Sequence, residues 1–275
     1  MRVQPDTRFW IASTGKQFTS AAVLKCQEMG LVHLDDKLSR FFPAAPIDKQ
    51  SITLLQLLSH TSGFNQSYAS ENKSDRAAAV QAMLSEPLVD RPGARFHYSN
   101  INYQLAVAIV EIASRMAYRD FVRKVLWAPN DLHDSGFAGD PGAHEIAPAL
   151  NPTPDRLQKE SWGGEGVYST APDLYRWTQA LQSDRVLSAA SLTQLWHPVA
   201  PISEGQSALG WFIGTNQRGD QYIFTRGNED FGPNSLIYIY PKSSTEVVIL
   251  THAGNVGNGS WSRFALAKIE QVLSL

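Results

Sequence analysis

One cysteine, Cys26, stands alone in 275 residues, which excludes an intramolecular disulfide and any metal centre built on several thiolates. Charge is scarce too. Lys and Arg number 24 against 26 Asp and Glu, a formal charge of −2 with His neutral. No basic face is available to neutralise phosphates, so a general nucleic-acid binder is excluded. Long apolar runs are missing as well: stretches such as Leu105 to Val110 fall far short of the roughly 18 residues that cross a bilayer. Met1-Arg2 leads straight into the polar Gln4-Pro5-Asp6-Thr7, with no apolar leader segment, which leaves the compartment open with the cytoplasm favoured over export. A chain stripped of its leader would read the same way. What is plentiful is core material, with 43% hydrophobic residues, enough for a large globule.

The N-terminal part reads as helical. After the extended Thr7–Ala12 segment, Thr14-x-x-Gln17 makes a capping-box pattern, and Phe18, Ala21, Ala22, Leu24, Cys26 and Met29 predict a central helix over about Thr14–Met29. A second box, Thr53-x-x-Gln56, opens a short leucine-rich helix that Gly63 is expected to end. Further helices are expected over Ala77–Leu84 and Ile101–Met116. Residues 128 to 166 are rich in Pro, Gly, Asp and Asn and read as long surface loops. Helical patterning returns over Asp173–Gln182 and Ser191–His197. Four strand-like runs follow, Leu209–Thr215, Gln221–Thr225, Asn234–Tyr240 and Glu246–Thr251, before an amphipathic last helix from Ser260 to Leu275. Consecutive strands after a helical middle, without βαβ alternation, predict an α+β fold with a mostly antiparallel sheet. A ligand site is expected where the two regions meet.

Several mechanisms are absent. There is no G-x-S-x-G elbow, no H-E-x-x-H, no G-x-G-x-x-G and no Walker A; Gly15-Lys16 is followed by Gln17. The seven histidines show no ligand spacing, so no metal and no organic cofactor is implied. What remains is Ser13-Thr-Gly-Lys16 at the mouth of the first helix. The positive end of a helix favours the charge that develops as a serine attacks a carbonyl. Lys16, one turn on, projects from the same face and is placed to take the serine proton. Alone, S-x-x-K recurs by chance; here the following helix is apolar nearly all round, and a lysine buried in it needs a reason. A second group, Tyr98-Ser99-Asn100, precedes a helix. It reads either as a core aromatic with an ordinary cap or as a proton relay (Tyr98) with an amide that bonds Lys16 or a substrate (Asn100).

These residues resemble the serine β-lactamases of class C and their relatives, the penicillin-binding D-alanyl-D-alanine peptidases and family VIII carboxylesterases. The resemblance runs through Phe9-Trp-Ile-Ala-Ser13-Thr-Gly-Lys16-Gln-Phe-Thr-Ser20, Leu34-Asp-Asp-Lys37, Ile52-Thr-Leu-Leu-Gln-Leu-Leu-Ser-His-Thr-Ser-Gly63, Pro92-Gly93 with Tyr98-Ser-Asn100, Gly163-Gly-Glu-Gly-Val-Tyr-Ser-Thr170 and Leu209-Gly-Trp211. It implies Ser13 as nucleophile, Lys16 as its activator and Tyr98 as general base and acid, with Asn100 lining the site. Either Lys16 or Tyr98 takes the first proton. Ser59-His60-Thr61-Ser62-Gly63 is implied to be structural, ending a helix behind the site.

The family's third motif, Lys-Thr-Gly or His-x-Gly on a strand, is where the chain departs. Its counterpart, Phe224-Thr225-Arg226-Gly227-Asn228, aligns in two ways, with Thr225 or Arg226 at the basic position. Arg226 is preferred, because a cation near Lys16 is what the mechanism needs. Gly227 and Asn228 complete the expected substrate-binding set, and the backbone N–H of Ser13 with one from Asn228 or its neighbour forms the expected oxyanion hole. His252-Ala253-Gly254 is read as an imitation of His-x-Gly. Relatives usually carry an extra strand pair before the Phe9 segment, so an exposed sheet edge is expected.

The sequence thus predicts one catalytic unit of two regions. Residues 1–30 and 200–275 form an α/β part with an antiparallel sheet and flanking helices, and 31–199 form a mostly helical insertion, with the site at their junction. The expected chemistry is acyl transfer through a Ser13 acyl-enzyme on small esters or D-amino-acid amides. A true β-lactamase is the alternative within the fold, and a non-catalytic penicillin-binding sensor or scaffold the alternative outside enzymes.

Overall fold

The computed structural model describes residues 2–71, 73, 75–147, 166–228, 233–252 and 267–272. Nine strands and nine α-helices are seen among them, and the fold is α+β. The helices are α1 (Lys16–Glu28), α2 (Leu38–Phe41), α3 (Leu54–Leu58), α4 (Arg76–Ser85), α5 (Asn100–Ser114), α6 (Tyr118–Phe121), α7 (Ala171–Gln182), α8 (Ala189–Leu195) and α9 (267–272). A small antiparallel sheet joins β1 (Phe9–Trp10), β3 (Val167–Ser169) and β2 (Gly136–Phe137) in that spatial order. The larger sheet is a meander of β4 (Ala200–Ile202), β5 (Gly205–Ser207), β6 (Phe212–Thr215), β7 (Gln221–Asn228), β8 (Asn234–Tyr240) and β9 (Thr245–Thr251), each beside the next.

Strand β8 shows why the sheet is covered on both faces. Every residue of Asn234–Tyr240 is buried. Ile237 and Ile239 turn into the main core with α1 and α5, while Leu236, Tyr238 and Tyr240 turn the other way, onto Tyr222, Phe224 and Ile269 of α9. The edge strand β9 is half-buried along its whole length. In α1 every residue from Lys16 to Leu24 is buried, and the ring of Phe18 meets those of Trp127 (5.2 Å) and Trp177 (4.8 Å). One hydrophobic cluster contains Ile11 and Ile237 together with Leu57, Leu105 and Leu126, so residues from both expected regions share a core.

The structure corrects several expectations. The Thr14–Gln17 capping box does not form, since a 3₁₀ turn, Ala12–Gly15, precedes α1 and no side chain caps the helix. Thr14 Oγ1 instead lies 2.8 Å from Ser235 Oγ, and Gln17 Oε1 accepts from Trp177 Nε1 at 2.9 Å. Tertiary partners outbid the local cap. The second box, at Thr53 and Gln56, does form. Its helix stops at Leu58, well before Gly63, and His60 takes the left-handed conformation at φ 59°. The strand expected over Leu209–Thr215 begins only at Phe212, because Gly210 (φ 74°) packs on α1, where a Cβ would lie 2.7 Å from Ser20 Oγ. The expected cap Ser260 lies outside the described residues.

Candidate active site

Ser13 sits in the 3₁₀ turn that runs into α1, directly after Ala12, which holds φ at 48°. That is a left-handed conformation for a non-glycine residue, of the kind that persists only when its surroundings enforce it. Strands β7 and β8 supply the enforcement. Ser235 Oγ donates to the Ile11 carbonyl at 2.6 Å. Gly227 comes so close that a Cβ there would lie 2.1 Å from Ile11 O and 2.9 Å from Ser13 N. Only glycine lets the β7 backbone approach the amide of Ser13. Asn228, the last residue of β7, is paired with Asn234, and the residue after it lies outside the described residues.

Two side chains converge on Ser13 Oγ. Lys16 Nζ donates to it at 2.9 Å, and Tyr98 Oη stands 2.5 Å away. Lys16 is only 3% exposed, and its ammonium lies 5.2 Å from the ring centre of Tyr98 and 5.8 Å from that of Tyr103. A buried ammonium needs such company, since loss of water penalises an isolated charge. Tyr103 is itself tied down, donating to the Leu58 carbonyl at 2.6 Å. Burial raises its phenol well above the ordinary value, which leaves it a neutral neighbour.

His60, expected to be structural and behind the site, is part of its wall. Its ring lies 4.5 Å from that of Tyr98, and it binds the chain on both sides of the tyrosine: the His60 carbonyl accepts from His97 N–H at 2.8 Å, and Nδ1 accepts from Ser99 N–H at 3.2 Å. Accepting at Nδ1 puts the proton of the neutral ring on Nε2. Burial, reinforced by the Lys16 charge, holds the imidazole pKa well below its ordinary value, so the ring stays neutral. The residue string was legible, but the role was not, because it depends on a left-handed backbone and on contacts 37 to 39 positions along the chain.

Asn100 is the first residue of α5, with Ser99 as the cap, and its backbone N–H is held by Gln66 Oε1 at 2.8 Å. Its Oδ1 is buried and makes no hydrogen bond, so the expected link to Lys16 does not run through that atom.

The third motif is corrected by register. Thr225 is 2% exposed and pairs across β8 with Ile237 of the main core, so it faces the same side as the nucleophile. Arg226 therefore alternates to the opposite face. Its guanidinium lies 6.0 Å from the ring centre of Phe224, and its Nη1 is 2.6 Å from Glu204 Oε2. Thr225 thus faces the nucleophile's side of the sheet, and the Arg226 guanidinium is drawn to Glu204, while both residues border the pocket. His252 stacks on Phe9 at 6.1 Å, away from the pocket.

Ser13, Lys16, His60, Tyr98, Gly210, Trp211, Phe212, Thr225 and Arg226 surround one pocket, joined by Ala208. Among the described residues no group of His, Cys, Asp or Glu is placed to hold a metal ion. No helix among them is long and apolar enough to cross a membrane. Cys26 is buried in α1, and burial pushes its thiol up to about 12, so it is an inert core residue.

Comparison with known proteins places the chain among relatives. The chain is 26% identical over 274 residues to Protein flp of Staphylococcus aureus strain N315, covering 92% of this chain and 54% of that protein. It is 27% identical over 248 residues to Penicillin-binding protein 4* of Bacillus subtilis strain 168, covering 77% of this chain and 53% of the other. The chain thus spans about half the length of the curated relatives it matches. Among solved structures, the D-amino acid amidase of Ochrobactrum anthropi SV3 superposes with a TM-score of 0.85 at 20% identity, over 100% of this chain and 88% of that one. The family model described as Beta-lactamase matches residues 1–264. The chain is accordingly a member of the beta-lactamase family.

Proposed function

We propose that the chain is a serine hydrolase that works through an acyl-enzyme on Ser13 and acts on small esters or D-amino-acid amides. One observation carries this reading: Ser13 Oγ lies within hydrogen-bond reach of both Lys16 Nζ and Tyr98 Oη. With Lys16 donating to Oγ, the serine's own proton points to Tyr98. The arrangement therefore favours a step in which Tyr98, as a phenolate stabilised by the Lys16 ammonium, takes the Ser13 proton and becomes the phenol as Oγ attacks the acyl carbon. Tyr98 then returns the proton to the leaving alkoxide or amine. Water attacks the Ser13 ester, giving its proton to Tyr98, which passes it to Ser13 Oγ as the acyl C–O bond breaks and the acid is released. The Ser13 N–H, beside the glycine-thinned backbone of β7, is one donor for the oxyanion.

The preference for esters and D-amino-acid amides over β-lactams rests on Thr225. A threonine at the buried third-motif position offers a β-lactam carboxylate a hydroxyl and no charge. The solved amidase and the D-stereospecific amidohydrolase of Streptomyces, at 20% identity and a TM-score of 0.76, lend the amide half of the reading its plausibility on fold alone. The test is one preparation assayed on p-nitrophenyl butyrate, D-phenylalanine amide and nitrocefin. Turnover of the ester or the amide with kcat/KM well above that for nitrocefin supports the proposal. Nitrocefin turnover near 10⁶ M⁻¹s⁻¹, inside the range of efficient enzymes, replaces it with a β-lactamase. Binding of a penicillin without turnover of any of the three replaces it with a sensor or scaffold.

A further inference from the structure

The Lys16 ammonium lies over two phenol rings, 5.2 Å from the ring centre of Tyr98 and 5.8 Å from that of Tyr103. Tyr98 has its part in the chemistry. Tyr103 is fully buried in α5, and its phenol oxygen is tied to two other helices. Oη donates to the carbonyl of Leu58, the last residue of α3, at 2.6 Å and lies 3.2 Å from Ser20 Oγ in α1. Ser20 follows Lys16 by one turn, on the same face of that helix. Gly210 packs against this point so closely that a Cβ there would lie 2.7 Å from Ser20 Oγ. The ring of His60 flanks the ring of Tyr103 at 5.1 Å. The hydroxyl is pinned and the ring is flanked, so Tyr103 keeps one orientation, with Lys16 over its face.

Building on the serine hydrolase reading, we infer that Tyr103 is a positioning residue that acts through Lys16: its ring face keeps the proton on Lys16, so that Tyr98 is available as the phenolate that takes the proton of Ser13. The balance concerns a single proton. An ammonium on Lys16 with a phenolate on Tyr98, and an amine with a phenol, differ only in which group holds it, with Ser13 Oγ between them at 2.9 Å from Nζ and 2.5 Å from Oη. Loss of water disfavours the charged arrangement. An electron-rich ring face within about 6 Å of the ammonium favours it, and more so where water is shut out. Tyr98 changes charge as the reaction runs. Tyr103 does not, because burial raises its phenol well above the ordinary value, and it therefore offers Lys16 a constant partner.

The experiment separates the ring from its hydroxyl. Tyr103→Phe keeps the face and removes the hydroxyl, and Tyr103→Leu removes the face. A graded series places phenylalanine bearing one, two or three fluorines at the same position, which drains charge from the face with little change of shape. The readouts are kcat and KM for p-nitrophenyl butyrate, the rate at which a fluorophosphonate labels Ser13, and the urea midpoint. Tyr103→Phe should keep kcat within about 3-fold of the wild type despite a lower urea midpoint, and Tyr103→Leu should lose about 10-fold or more. Across the fluorine series kcat and the labelling rate should fall together with each fluorine, while KM and the urea midpoint hold. A residue that only fills the core would give rates that follow the urea midpoint instead. A flat fluorine series, or a loss in Tyr103→Phe as large as in Tyr103→Leu, overturns the inference; if Tyr103→Leu does not fold, the fluorine series decides alone. Turnover by the wild type tests the hydrolase reading separately: if it is absent, that reading fails and the inference with it, and if it is present with a flat series, only the role of Tyr103 fails.

Discussion

The ring of His60 lies 4.5 Å from that of Tyr98, and the same histidine fastens the backbone at residues 97 and 99, so that the tyrosine is gripped on three sides. Nothing else in the segment from Arg95 to Ser99 belongs to a helix or a strand. The grip has a separable chemistry. His60→Asn keeps an acceptor near the position of Nδ1 and suits the left-handed backbone, but removes the ring. His60→Phe keeps the ring and leaves the buried Ser99 N–H without its partner, a loss of about 1–3 kcal/mol. Both variants should lower kcat on esters by roughly 10-fold while KM holds, as expected of a displaced general acid–base group. Urea midpoints should fall clearly only for His60→Phe. Because the wild-type ring is held neutral, the pH profile of kcat/KM should show no limb near the ordinary histidine value, and a limb there that vanishes in His60→Asn would contradict this account.

Lys16→Ala and Tyr98→Phe should each reduce kcat by about 10²-fold or more, the usual scale for general acid–base groups. Circular dichroism should show an intact fold in both. Activity within a few-fold of the wild type in a folded Tyr98→Phe would mean that the proton leaves Ser13 by Lys16 alone.

Gly227→Ala tests the seat of the nucleophile. The new methyl would lie 2.1 Å from the Ile11 carbonyl, so β7 or the Ser13 turn must shift. A displacement on the order of 1 Å at the reacting atom lowers kcat by about 10²-fold, and the melting temperature should fall with it. Wild-type kinetics in this variant would show that β7 does not position Ser13.

Glu28 links the end of α1 to the start of α8. Burial works against its ionisation, but a side-chain bond from Lys25 and the Ser188 N–H outweigh that effect and hold its pKa at about 2. A carboxylate whose folded pKa is depressed stabilises the fold above its unfolded value of 4.5, and that contribution fades as pH falls from there toward 2. Wild type and Glu28→Gln should therefore differ in urea midpoint at pH 7 and converge by about pH 2. A gap that stays constant down to pH 2.5 would contradict the assignment.

The parts of the site that lie within one turn of helix were legible in the sequence, and those that depend on register were not. Ser13 and Lys16 are three residues apart on one helical face, a relationship that needs no tertiary knowledge. Tyr98 lies 85 positions from Ser13, so only the likeness of several motifs to a known family could bring them together. Thr225 and Arg226 are adjacent on a strand whose period is two, and composition cannot say which faces the core; the pairing of Thr225 with Ile237 decides it. Strands β4 and β5 went unforeseen because each has three residues, one with Pro201 at its centre and the other opening on Gly205. The Thr14–Gln17 cap failed for the opposite reason, since the local signal was clear and Ser235 and Trp177 claimed both side chains.

The most direct test of the central claim is intact-mass measurement after exposure to a fluorophosphonate, followed by peptide mapping. The account predicts one adduct per chain in the wild type, carried on Ser13, no adduct in Ser13→Ala, and a labelling rate in Lys16→Ala and Tyr98→Phe that falls in step with their kcat. A label on any other residue, or hydrolysis of p-nitrophenyl butyrate by Ser13→Ala at the wild-type rate, would contradict it.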